Sequence, residues 1–136
     1  MLVGVYFALG RRKIPLFEHL LALPAEVLSR PALLLGDFNT GRHELDEAGA
    51  TFIVPEYLAK LETRGWIDLW RHVHPQGREF SWFSPRGNGF RIDHALGTPA
   101  FQGLVRSVEY SHRERECGIS DHSVLVLDAG APAPSA

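Results

Sequence analysis

Three short clusters in this sequence hold side chains that can move a proton or bind a charged oxygen. Gly36-Asp37-Phe38-Asn39 follows the apolar run Ala32-Leu33-Leu34-Leu35. A carboxylate there can take a proton from water, and an amide two residues on can donate to a phosphoryl oxygen. The same tetrapeptide also suits a turn in which Asp and Asn cap the backbone, and alone it fits both readings equally well. Arg91-Ile92-Asp93-His94 places an acid inside an otherwise apolar strand, where a buried carboxylate needs a partner. Strand alternation also allows Asp93 to face water while Ile92 and His94 share the other face. Ser120-Asp121-His122 stands immediately before Ser123-Val124-Leu125-Val126-Leu127. The Asp121 carboxylate suits a hard cation such as Mg²⁺. An imidazole held by a second carboxylate can stay protonated and act on a phosphoryl group. Among the 7 histidines, His19, His72, His74 and His112 are read as structural.

Each cluster sits at an end of a predicted strand, where open α/β sheets present their ligands. Residues 2–7 predict a buried strand, and residues 10–13 a polar turn. Residues 14–29 carry apolar side chains at 16, 17, 20, 21, 23, 27 and 28, the spacing of a helix with one buried face. Pro15 suits its first turn, and Pro24 should kink or divide it. Residues 31–35 read as a short buried strand that stops at Gly36, and the strand-helix-strand order defines an α/β class. Residues 37–55 form a polar loop long enough to be functional. Residues 56–64 predict a helix ended by Gly65, and 66–70 an apolar segment of undecided type. Residues 80–83 and 91–96 read as two strands across a Gly-rich connection at 84–89, and residues 104–110 and 123–128 as two more. The Ala, Pro, Gly and Ser of residues 129–136 predict a disordered tail after one folded unit over 1–128.

A chain of 136 residues fits one domain. Its 14 Lys and Arg against 16 Asp and Glu give a net charge of −2. That excludes a strongly basic module held on nucleic acid by charge alone. It leaves room for an enzyme that meets phosphate through a local basic rim and a metal. Cys117 is the one cysteine, so no disulfide within this sequence and no cysteine-based zinc site is expected, and a reducing, cytoplasmic setting follows. No apolar run is long enough to cross a bilayer, and Arg11, Arg12 and Lys13 follow the apolar opening instead of preceding it as in a secretory signal. No membrane association is predicted.

Together and in this order, the three clusters resemble the endonuclease/exonuclease/phosphatase superfamily with its deoxyribonuclease I-like fold, over about residues 2–127. Phe80-Ser81-Trp82-Phe83, a Gly-rich loop and Arg91-Ile92-Asp93 look most like the exonuclease III-type DNA-repair nucleases. Val5-Tyr6-Phe7 resembles the strand that carries their active-site tyrosine, with Ala8 where a Pro often follows. The resemblance implies that Asp37 orients or deprotonates the attacking water and that Asn39 holds a phosphate oxygen. It implies that Asp93 bonds to His122 and keeps it oriented and charged, and that His122 stabilises charge on the phosphoryl group. Asp121 would help to bind Mg²⁺, for which Mn²⁺ can substitute. Tyr6 would line the site, and Trp82 would pack beside a sugar or base of the DNA, with plain core packing an equal alternative.

The family's N-terminal half carries an Asn just after the first strand and a Glu that is a principal metal ligand. None of Glu18, Glu26, Glu44 or Glu47 lies in a matching context. The family's domain occupies roughly 200–250 residues, within the range of one such sandwich. The expectation is therefore a partial α/β sandwich, a mixed sheet with covering helices, that begins at a mid-domain strand. The remainder would be lost to truncation or an internal start, or be supplied by another chain or by self-association. Three functions compete. The first is a Mg²⁺-dependent phosphodiesterase of the exonuclease III type, acting on DNA ends or abasic sites. The second is a non-catalytic remnant of the fold, favoured by the missing Glu. The third is a phosphoesterase for a phosphoinositide, sphingomyelin or other non-nucleic-acid substrate. The 80–83 and 91–93 pattern favours DNA over lipid, whereas the near-neutral charge weighs against unaided DNA affinity.

Overall fold

The computed structural model describes residues 1–130. In chain order the elements are β1 (Leu2–Tyr6), α1 (Ile14–Leu21), β2 (Leu33–Asp37), α2 (Glu56–Arg64), β3 (Ile67–Asp68), α3 (Leu69–Val73), β4 (Trp82–Phe83), β5 (Gly89–Phe90), β6 (Asp93–Gly97), α4 (Pro99–Gln102), β7 (Val105–Ser111), α5 (Arg113–Glu116) and β8 (Val124–Ala129). Four strands form a mixed sheet in the order β1-β2-β6-β3, with β1 and β2 parallel and β6 antiparallel to both β2 and β3. β7 and β8 form a separate antiparallel pair, as do β4 and β5.

The period-two pattern of β2 explains the layering. Leu34 points to one face and joins Phe17, Leu20, Leu58, Leu61 and Trp66, from α1, α2 and the turn after α2. Leu33 points to the other face and joins Leu69, Trp70, Ala95, Val108 and Tyr110, so the β7–β8 pair covers that side. The result is a helix layer, a mixed sheet and a second sheet, with apolar material between each pair of layers.

Pro24 divides the predicted helix: α1 stops at Leu21, and a 3₁₀ turn follows at Ala25–Ser29. α2 matches its prediction, and Gly65 closes it at φ +114°. The undecided 66–70 segment resolves into β3 and then α3, where Asp68 ends the strand and its carboxylate caps the helix by accepting the Arg71 N–H at 3.1 Å.

Three expectations are corrected. β2 runs through Gly36 to Asp37 instead of stopping at Gly36. Gly36 has φ +141°, and a Cβ there would lie 2.0 Å from the Val5 carbonyl oxygen, so its neighbour strand leaves no room for a side chain. Second, β1 is a sheet edge and not a buried strand: Val3 and Val5 pack on the helix side, while Leu2 is 69% and Tyr6 82% exposed on the other face. Third, the strand predicted from 91 begins at Asp93. The Arg91 N–H goes to the Asp46 carbonyl, so β4 pairs with Gly89–Phe90 and β6 joins the large sheet. At the C-terminus, Ala129 closes β8 and the Gly130 N–H bonds to the Leu104 carbonyl. Those two residues belong to the fold, and the rest of the predicted tail, 131–136, lies outside the described residues.

Candidate active site

Strand register builds the site. Tyr6 lies beside Asp37 in the parallel β1–β2 ladder, and Asp37 lies opposite Asp93 in the antiparallel β2–β6 ladder. The three residues thus form one row across the C-terminal ends of β1 and β2 and the start of β6. His122 enters from the turn before β8, where it makes an isolated antiparallel bridge with Trp82. Its Nδ1 donates to Asp93 Oδ2 at 2.8 Å. Donor atoms of Asp37, Asp93 and His122 all lie within 4.8 Å of one another. Tyr6, Asp37, Asn39, Trp82 and His122 line one cleft with Leu9 and Ile92.

Asp37 and Asn39 are locked together, as the turn reading of this tetrapeptide expects. Asp37 Oδ1 accepts the Asn39 backbone N–H at 2.7 Å, and Oδ2 accepts from Asn39 Nδ2 at 3.0 Å. The amide's other N–H reaches the Phe7 carbonyl at 2.7 Å. With both N–H bonds engaged, Asn39 orients the Asp37 carboxylate, and a phosphate oxygen would have to displace one of these bonds to use the amide. Asn39 adopts φ +49°, a left-handed conformation that Asn tolerates better than most residues.

Lys13 and His94 support this loop. Lys13 is buried, and its ammonium donates to the Asn39 carbonyl. Burial lowers the Lys13 pKa, and the nearby Asp37 charge opposes that. His94 is fully buried and donates from Nε2 to the Thr40 carbonyl at 2.8 Å. On the other flank, Tyr110 donates to the Asp93 carbonyl at 2.5 Å. His112, read as structural, bonds Ser123 Oγ at 2.8 Å and Glu79 at 3.1 Å.

Asp121 is exposed at the turn before β8 and is not among the residues that line the cleft. Its charge is nevertheless felt by His122.

The electrostatics of the pair are directional. The hydrogen bond that Asp93 accepts raises the His122 pKa above its ordinary value of 6.5, against the opposing effect of burial, and the charges of Asp93, Asp37 and Asp121 add to the rise. Burial raises the Asp37 pKa, and the charge of Asp93 adds to it, while the Asn39 N–H pulls it back. A raised imidazole pKa contributes stability in full below the unfolded value, and this is lost as pH rises through the folded one. Asp93→Asn should therefore move the His122 titration midpoint down toward 6.5 and flatten the fall in stability across that window. An NMR titration of the His122 ring protons checks this, and an unchanged midpoint in the variant would rule out the pairing.

The sequence profile of the Endonuclease/Exonuclease/phosphatase family matches residues 6–122, and the chain belongs to that family. Among solved structures it is similar to a 3′-5′ exonuclease from Neisseria meningitidis, at 26% identity and a TM-score of 0.83. A Neisseria 3′ phosphatase bound to a product DNA hairpin aligns at 25% identity, also with a TM-score of 0.83. Each of these alignments covers 96% of this chain and 61% of the other. An AP endonuclease from Archaeoglobus fulgidus shares the fold at 20% identity, with a TM-score of 0.80 and the same coverage. The chain thus has the deoxyribonuclease I-like α/β fold and spans about 61% of the length of these structures. No helix among the described residues is long and apolar enough to cross a membrane.

Proposed function

We propose that this chain carries the phosphate-acting side of a divalent-metal-dependent phosphodiesterase for DNA. The observation that carries the reading is the Asp37–Asp93–His122 cluster, with all three groups within 4.8 Å at adjoining strand ends. Buried Asp37, with its raised pKa, is the general base for water. His122, kept protonated by Asp93, places positive charge against a phosphoryl oxygen. Asn39 holds Asp37 in place, Tyr6 covers the cleft from β1, and Trp82 offers a ring face for a sugar or base.

The donor set fits a hard cation. His122 Nδ1 is committed to Asp93, and the carboxylate oxygens of the site are the ligands Mg²⁺ and Mn²⁺ prefer. Asp121, next in the chain to His122, is the carboxylate we assign to the ion. When bound, the ion supplies positive charge to the phosphoryl group. The likeness to a phosphatase bound to a DNA hairpin supports DNA over a lipid headgroup. The exposed thiol of Cys117 suits a reducing cytoplasm.

We further propose that the activity needs a second carboxylate from a segment that docks on the exposed inner face of β1, from another chain or a second copy. Leu2 and Tyr6 stand uncovered there, and exposed apolar surface of this kind favours association. Alone, the 136-residue protein should self-associate and cleave abasic or nicked duplex DNA no faster than its Asp37→Asn variant. Fused to the N-terminal part of a relative, it should cleave such DNA in Mg²⁺ or Mn²⁺ and stop when the metal is chelated. A well-folded fusion without metal-dependent cleavage would establish the non-catalytic reading. Family-like cleavage by the monomeric chain alone would show that a residue of its own, with Glu44 and Glu47 the first to test, supplies the second carboxylate.

A further inference from the structure

We propose that Ser81 is a positioning residue that sets the approach of Asp93 to His122. Ser81 is fully buried in the segment ahead of β4, and it touches both sides of the pair through different atoms. Its hydroxyl oxygen accepts two consecutive backbone N–H groups, from Ile92 at 3.1 Å and from Asp93 at 3.2 Å. Its carbonyl accepts the N–H of Ser123, the residue after His122, at 2.7 Å. Its own N–H donates to the Phe90 carbonyl at 2.9 Å.

One residue therefore ties the first residue of β6 to the turn that delivers His122. Asp93 stands at the start of β6 and His122 in the turn before β8; they are separated by 29 positions and meet through a single 2.8 Å bond. The side-chain link at Ser81 is the adjustable part of this tie, because its carbonyl link survives any substitution. Without the hydroxyl, a buried N–H at Ile92 and a part-buried one at Asp93 lose their acceptor, and the Asp93 backbone can shift and turn its carboxylate away. β6 begins at Asp93, and the Ile92 and Asp93 N–H groups at this start both go to the Ser81 hydroxyl. An unsatisfied buried donor is costly enough for the local backbone to shift in search of water or another acceptor. Tyr110 holds the Asp93 carbonyl from β7, so a shift would act mainly as a rotation about that anchor.

The inference rests on the proposed active site for its consequence in turnover, but its structural readout needs no activity. In the wild-type chain, at a pH where His122 is protonated, the Nδ1–H bonded to Asp93 should give a slowly exchanging, downfield proton resonance. The Ile92 and Asp93 amides should be protected from exchange. In Ser81→Ala the Nδ1–H resonance should move upfield or vanish, and exchange at both amides should quicken by about five- to tenfold, the factor for one lost hydrogen bond. Ser81→Thr, which keeps the hydroxyl, should restore both signals. In the fusion to a relative's N-terminal part, Ser81→Ala should lower kcat and leave KM unchanged. A folded Ser81→Ala variant with the His122 Nδ1–H resonance unchanged would overturn the proposal. If that variant does not fold, Ser81→Cys supplies a weaker sulfur acceptor of similar size, and an unchanged resonance there has the same consequence. Should the wild-type fusion prove inactive, the function fails, and these proton signals still decide the role of Ser81.

Discussion

Asp68→Ala should destabilise the protein by about 3–5 kcal/mol, the cost of leaving a buried charge without its partner. The Arg91 guanidinium is fully buried between two carboxylates. Its Nη2 donates to Asp68 Oδ2 at 2.5 Å and its Nη1 to Asp68 Oδ1 at 3.2 Å, while Nε reaches Asp46 Oδ1 at 2.7 Å. Arg71 completes the set by donating to Asp46 Oδ1 at 2.5 Å. Two guanidiniums therefore balance two carboxylates, with His94 Nδ1 3.5 Å from Asp68 Oδ2. Burial alone would raise the Asp68 pKa, but Arg91 and His94 hold it far below the carboxylate range. The substitution also removes the cap of α3, worth about 1 kcal/mol. Asp68→Asn keeps the shape and part of the bonding, so it should cost less. A depressed carboxylate pKa gives stability that is present above the unfolded value of 3.8 and lost as pH falls through the folded value. Urea unfolding at neutral pH measures the effect, and a loss below about 1 kcal/mol would place Asp68 among ordinary surface acids. The network also matters to the site, since it anchors Arg91 two residues ahead of Asp93.

That network marks where the sequence stopped being informative. Periodicity located α1 and α2, and the apolar runs located β2, β7 and β8, because each of those signals is local. The positions of Asp37 and Asp93 at strand ends were legible for the same reason. Which strand paired with which was not. The Gly-rich stretch at 84–89 suggested a hairpin running into 91–96, but β4 pairs only as far as Phe90. The deciding bonds join Arg91 to Asp46 and Asp68 across 45 and 23 positions, and no pattern within a window records them. The burial of Lys13 was equally hidden. A cation beside Arg11 and Arg12 reads as a solvated turn, and only the placement of the Asn39 carbonyl shows why the last of the three turns inward. The exposure of β1 has a different origin. Its sequence is apolar enough for a buried strand, and nothing in five residues shows that the sheet's described neighbours lie on one side only.

Asp37→Asn should lower the cleavage rate of the fused, metal-loaded enzyme by about 10²–10⁴-fold, the usual worth of general base catalysis, with little change in DNA binding. The structure sharpens this expectation. Both Asp37 oxygens accept hydrogen bonds from Asn39, one from the backbone and one from the side chain. An amide at position 37 can keep only one of these acceptors, so the Asn39 side chain must turn, although its bond to the Phe7 carbonyl limits how far. Lost base and lost orientation therefore arrive together in this variant, and Asn39→Ala separates them. It frees Asp37 Oδ2 without removing the carboxylate, so it should reduce kcat by much less than Asp37→Asn. The pH profile gives an independent sign. A base acts when deprotonated, so the rate should rise with pH through the folded pKa of Asp37, which burial places above the ordinary 3.8. Asp37→Asn should remove that acid limb together with the rate, whereas Asn39→Ala should keep the limb and shift its midpoint upward, because the stabilising hold on the carboxylate is weakened. Steady-state rates against pH for the two variants, with DNA affinity measured in parallel, test each step. Equal losses of affinity and turnover in Asp37→Asn, with the acid limb intact, would remove Asp37 from the role of base and assign it to positioning the substrate or the ion.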